Sequence, residues 1–174
     1  MTNPERDSRF IETALPELQD YLLSDELYWP LGGSLPRLTP GALLLALRRA
    51  EADSPAPARK WQLELDSVRR RWRSAWEQKT LREAKNRLRL WSASVGEWQS
   101  APAENLADYT GEVRGRVILQ ILLDEVNAPA EQAALGPLDD FLRARLKPGN
   151  FLWETGLETA FPQSEFWFLY GKLT

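Results

Sequence analysis

The stretch SVRRRWRSAWEQKTLREAKNRLRLW, Ser67 to Trp91, packs arginine and tryptophan more densely than any other part of the chain. Read linearly, it is a cationic, aromatic arm suited to nucleic acid. Read at about 100° per residue on a helical wheel, it separates. Trp61, Leu65, Val68, Trp72 and Trp76 fall within about 40° of one direction, and Leu81, Ala84, Leu88, Trp91, Val95 and Trp98 cluster about 80–180° away from it. The apolar stripe thus rotates by over a quarter turn near Glu77–Thr80. Such a shift is a stutter in the 3-4 spacing. From Ala58 to Val95 there is no proline or glycine, and sharp kinks usually need one. One continuous helix over about 58–99 is expected, with a break near Gln78–Thr80 as the alternative.

The flanking sequence has the same period. Thr39-Pro40 starts a helix: threonine caps, proline occupies the first turn, and Leu38 is placed to staple onto Leu43. Pro16 reads as the first residue of a short helix. A further helix is expected from Leu106 or Tyr109 to Val126, whose VILQILL is apolar nearly all round and therefore deeply buried. In LDDFLRARL the residues Leu138, Phe141, Leu142 and Leu146 form one stripe, which Lys147-Pro148-Gly149-Asn150 ends. No segment alternates with period 2, so the fold class is all-α. The expectation is a single domain over residues 1–174, a bundle of about five to six helices around the long one. An aromatic-rich, irregular C-terminal tail completes it.

With 174 residues, 43% of them hydrophobic, the chain is long enough for a sizeable core. It has no cysteine and no histidine, which excludes disulfides, thiolate nucleophiles, imidazole bases and Cys/His metal sites. Paired acids such as Asp124-Glu125 and Asp139-Asp140 point to different sides of a helix and make poor two-carboxylate sites. PLGGS lacks the strand and lysine of a phosphate loop. No cofactor or metal is expected, with an all-carboxylate magnesium or calcium site left open by composition, and the reading leans away from an enzyme without excluding one. MTNPERDSRF has no signal-peptide pattern. The longest apolar run, GALLLAL, is far below the ~20 residues of a membrane span, so a cytoplasmic, membrane-free protein is expected.

The net charge of −3 hides an asymmetry: residues 1–54 carry −4, residues 55–100 carry +6, and residues 101–174 carry −5. On the long helix Lys60, Arg71, Arg82, Lys85 and Arg89 fall about 220–280° round the wheel, away from both apolar stripes. This basic ridge is the candidate nucleic-acid surface. It is disfavoured because the tryptophans face away from it, whereas base stacking needs aromatics beside the cations, and because both flanks are acidic. The second candidate surface is aromatic: Tyr28, Trp29, Trp153, Trp167 and Tyr170. Eight tryptophans exceed what one small core readily holds, so some are expected at a subunit or partner interface.

In the segments DYLLSDELYWPLG (20–32) and FWFLYG (166–171) the chain resembles an uncharacterised family of bacterial all-helical proteins of unknown function. The resemblance implies no activity. The functional expectation is an interaction or scaffold protein with a protein partner or a second copy as its ligand. The alternatives are nucleic-acid binding along the basic ridge and a small-ligand or enzyme pocket lined by tryptophan, tyrosine and carboxylates.

Overall fold

The computed structural model describes residues 3–100 and 108–174. Among these residues the chain forms α1 (Pro4–Leu23), α2 (Pro40–Asp53), α3 (Pro55–Arg71), α4 (Arg73–Ser100), α5 (Tyr109–Glu125) and α6 (Pro129–Arg145). A hairpin of β1 (Leu146–Phe151) and β2 (Tyr170–Leu173) follows, with 3-10 turns at Thr155–Ala160 and Trp167–Leu169 between its strands. The fold is mostly all-α, and its C-terminal region is rich in aromatic side chains. The described chain divides into two compact units, Met1–Glu83 and Ala84–Thr174, with the boundary inside α4.

In the first unit α1 begins twelve residues earlier than Pro16 suggests. The Asn3 side chain accepts from the Arg6 amide at 3.2 Å and Pro4 takes the first turn, so the start signal lies there. Pro16 sits inside the helix on its exposed side, where the carbonyl it leaves unpaired reaches water. Phe10, Ile11, Ala14, Leu18 and Leu22 form the buried face. They pack with Leu43, Ala46 and Leu47 of α2 and Trp61 and Leu65 of α3 in one core. The Thr39 hydroxyl accepts from the Ala42 amide at 3.0 Å, as its sequence implies. Leu38 and Leu43 are both fully buried.

The long helical stretch is present as α3 and α4, separated by one residue. Trp72 has φ −117° and ψ 38°, yet its amide still donates to the Val68 carbonyl, and its carbonyl accepts from the Trp76 amide, each at 2.9 Å. The departure from helical geometry therefore falls at Trp72, where a partly buried indole packs on the core, and not near Gln78–Thr80. At the latter position the helix is regular. The apparent rotation of the stripe has another cause: Lys79, Thr80 and Glu83 are buried and fill the gap between the two apolar runs. Polar side chains continue a buried face that the hydrophobic pattern loses.

In the second unit Trp91, Val95 and Trp98 of α4 are buried. Trp98 stands edge-on between Trp91, 5.4 Å away, and Tyr109, 5.6 Å away. On α5, Val113, Val117, Ile118, Leu119, Ile121, Leu122 and Leu123 are all buried, the deep burial its sequence implies. The expected connector over 101–105 and a helix start at Leu106 lie outside the described residues. Leu142 of α6 is fully buried, while Leu138, Phe141 and Leu146 are half-buried.

Lys147-Pro148-Gly149-Asn150 does end α6, but as the body of β1, paired antiparallel to β2 with Leu146 opposite Leu173 and Pro148 opposite Gly171. This pairing leaves no alternating signature, because the four middle residues of β1 are all exposed. Pro148 is tolerated because both strands of a two-stranded sheet are edges. Gly171 is required by close approach, since a Cβ there would collide with the Lys147 carbonyl oxygen. Gly171→Ala is expected to destabilise the protein by about 1–3 kcal/mol, read as a lower urea midpoint. Gly149→Ala, whose Cβ meets only an ordinary 3.6 Å neighbour, should leave the midpoint nearly unchanged.

Candidate interaction surfaces

Three neighbouring residues of α4 hold the first unit's connecting segment. The Glu83 carboxylate accepts from the Thr39 hydroxyl at 2.8 Å and from the Gly41 amide at 2.7 Å. A buried negative charge thus sits on the amino terminus of α2, where the helix dipole and unpaired amides favour it. The Lys79 ammonium donates to the Glu26 carbonyl and to Ser24 Oγ, and lies 4.5 Å from the Tyr21 ring centroid. Arg82 donates to the Asp25 carbonyl at 2.7 Å, and the Tyr21 hydroxyl to the Leu27 carbonyl at 2.9 Å. Three successive backbone carbonyls of the α1–α2 connection are therefore each paired to a different side chain. Burial, then the neighbouring Arg82 charge, lowers the Lys79 pKa from its ordinary range.

The second unit has its own buried ion pair. Arg116 is 1% exposed. It donates to both oxygens of Asp139, at 3.1 and 2.8 Å, and to Gln120 at 3.2 Å. Its guanidinium stacks 4.2 Å from the Phe168 ring, and the Tyr109 hydroxyl donates to the Phe168 carbonyl at 2.6 Å. In the first unit Arg49 makes a similar two-pronged contact with Asp7, at 2.8 and 2.6 Å. Each of these buried charges has a partner and ties segments distant in sequence. Among the described residues no group of three or more Asp and Glu is placed to hold a metal ion, and no helix is long and apolar enough to cross a membrane.

The five ridge cations meet different fates. Lys60 and Arg71 stand exposed on α3, the Arg71 guanidinium 5.6 Å from the Trp72 ring. Arg82 is spent on the Asp25 carbonyl, Lys85 lies 3.9 Å from the Glu131 carboxylate, and Arg89 donates to Asn86 at 3.0 Å. Lys60, Arg71 and Arg82 belong to the first unit, and Lys85 and Arg89 to the second. In the second unit Lys85 and Arg89 line an open groove of about 300 Å³ with Leu88, Ala134 and Leu138.

The aromatic candidates also divide between the units. Trp29 stands edge-on to Tyr21 at 6.4 Å and donates to Glu17 at 3.3 Å, and Tyr28 beside it is half-buried. In the second unit Trp153 meets Phe161 edge-on at 5.0 Å, and Tyr170 is buried with its hydroxyl on the Phe161 carbonyl at 2.8 Å. Trp167 is covered by the Arg143 guanidinium at 3.9 Å. Of the eight tryptophans, Trp61, Trp76, Trp91 and Trp98 are buried, and Trp29, Trp72, Trp153 and Trp167 keep part of their surface in solvent.

A surface that neither candidate set contains lies on α3. Leu63 is 63% exposed and borders a groove of about 450 Å³ formed with Leu47, Glu51, Pro55, Ala56, Ala58, Arg59 and Gln62. Its signal in the sequence was a leucine two positions from both Trp61 and Leu65, off the buried stripe. Set against models of protein families, characterised proteins and solved structures, the chain matches none.

Glu83→Ala is expected to cost about 2–3 kcal/mol, because it leaves the Thr39 hydroxyl and Gly41 amide buried and unpaired. Glu77→Ala removes an exposed 2.9 Å pair with Arg73 and should leave the urea midpoint nearly unchanged, because water screens such a pair. Urea denaturation of both variants checks the contrast.

Burial holds the Tyr21, Tyr109 and Tyr170 phenols protonated above their ordinary value of 10.0, with the Glu83 charge adding to the effect at Tyr21. Above that pH the unfolded chain loses these protons while the folded protein keeps them, so stability falls as pH rises. Lys79, with a lowered pKa, works in the opposite direction below its ordinary 10.5, one group against three. The fall in Tm between pH 9 and pH 11 is expected to be shallower in the double variant Tyr21→Phe with Tyr109→Phe, about 9 to 11 being the window around an unperturbed phenol.

Proposed function

We propose that this is a non-enzymatic interaction protein of the cytoplasm, acting through exposed helix faces and partly exposed aromatic side chains. The observation that carries the proposal is the outer face of α3, where a largely exposed leucine borders a groove walled by Leu47, Pro55, Ala56 and Ala58. An apolar side chain in water beside an apolar groove is a site that a partner's side chain covers favourably. The buried charged groups support the same reading: Glu83, Lys79, Arg116–Asp139 and Arg49–Asp7 each join two chain segments, a structural use of charge. Nucleic acid is the weaker partner, because Glu51 borders the same groove and Arg82 and Lys85 already have partners within the chain.

A photo-crosslinking residue at position 63, introduced into the full chain in living cells, tests this reading. A discrete adduct with a polypeptide is expected, and the same residue at the buried position 65 should give none. If position 63 yields only the free chain, the reading falls. If it yields an adduct with nucleic acid, the basic-ridge alternative replaces it.

A further inference from the structure

Two leucines of the first unit stand well out of its core, Leu63 at 63% exposure and Leu23 at 57%. They lie on helix faces of opposite charge. On α3, Arg59, Lys60 and Arg70 fall within about 60° of Leu63 around the helix axis, and all three are exposed. Asp66, on the same flank, is already bound by Arg69 and Gln62. On α1, Glu5, Glu12 and Asp20 fall within about 60° of Leu23, with Arg9 the single base among them. All four of these charged residues are exposed.

We infer that the partner of the α3 face is α1 of a second copy of this chain, with Leu23 of that copy seated in the groove beside Leu63. Asp20 of the incoming helix, about one turn from Leu23, then opposes Arg59 and Lys60, which lie about one turn from Leu63. This deepens the interaction reading and rests on it. Three features select a second copy. Each face has one apolar anchor, the exposed charges beside the anchors on α1 and α3 are complementary, and the groove beside Leu63 has apolar walls from two helices. Glu51 of α2 is the one acid among the groove's lining residues. Complementary charge of this kind speeds encounter and fixes register, while burial of the leucines supplies the attraction. A phosphate backbone would gain the cations but leave Leu63 uncovered, and no aromatic lines the groove for a base to stack on. Each copy carries both halves, so a two-fold pair makes the contact twice across one isologous interface.

Light scattering on the full chain, over about 5 to 500 µM, reads the self-association directly. The mass is expected to rise towards that of a dimer with concentration, and the rise should weaken between about 0.05 and 0.5 M salt. Two surface variants carry the decisive comparison. Arg59→Glu with Lys60→Glu reverses the α3 face, and Glu12→Lys with Asp20→Lys reverses the α1 face. Each is expected to remain monomeric alone with unchanged helicity by circular dichroism, and an equimolar mixture of the two should associate again. Leu63→Gln, which leaves every charge in place, should weaken association at least tenfold. A wild-type chain that stays monomeric throughout overturns the inference, as does association that persists in both variants or a mixture that fails to associate. A position-63 adduct in cells with a different polypeptide would overturn this inference while leaving the interaction reading intact.

Discussion

The carboxylate of Glu83 is the constraint on which the first unit turns. A charge with no exposed surface is tolerable only where its oxygens are paired, and here they meet the first amide of α2, that of Gly41, and the hydroxyl that caps the helix. The arrangement fixes where α2 begins relative to α4. One helical turn away, Lys79 holds the Glu26 carbonyl, and Arg82 holds the Asp25 carbonyl. The segment between α1 and α2 has only the short Trp29–Leu38 bridge as regular pairing, so its buried backbone acceptors need donors from elsewhere. α4 and Tyr21 supply them.

The second unit solves the same problem with different groups. Arg116 on α5 reaches Asp139 on α6, stacks on Phe168, and so ties the two helices to the segment before β2. Tyr109 adds a hydrogen bond to the carbonyl of that same phenylalanine. The aromatic rings from Phe151 and Trp153 through Phe161 and Phe166 to Phe168 and Trp167 each meet the next within 6.4 Å. Most meet edge-on, the geometry aromatic pairs prefer. This continuous stacking gives an irregular C-terminal segment an ordered interior without long secondary structure. In this unit Arg116 and Arg143 lie over aromatic rings, and Arg116 also holds the Asp139 carboxylate. In the first unit the α3 face keeps a leucine 63% exposed beside a groove.

Much of the fold was legible because it follows from period and capping, which are local. The 3-4 spacing of Trp61, Leu65, Val68 and Trp76 marks the buried side of α3 and the start of α4, and Thr39-Pro40 marks the start of α2. The VILQILL run marks the deepest helix, since no solvent-facing side is left on it. The start of α1 was missed because Pro16 gives the same local signal inside a helix's exposed side as at a first turn. The hairpin was missed because β1 buries only its ends, so no alternation exists to detect. Surface readings were less legible still. Lys85 and Arg82 have the wheel positions of a solvated ridge, yet each has a partner within its own unit.

What the sequence determined by itself was helical class, the buried faces of most helices, the exclusion of thiol and imidazole chemistry, and the charge asymmetry along the chain. Those depend on residue type and on spacing along one helix. Only the tertiary structure decided that Lys79, Thr80 and Glu83 belong inside, that Trp72 interrupts the long helical stretch, and that Leu63 and Leu23 belong outside. The physical reason is that burial is a property of the assembled chain. Whether a polar group is buried or an apolar one exposed depends on what other segments bring to it, and for Lys79 and Glu83 those partners lie tens of residues away.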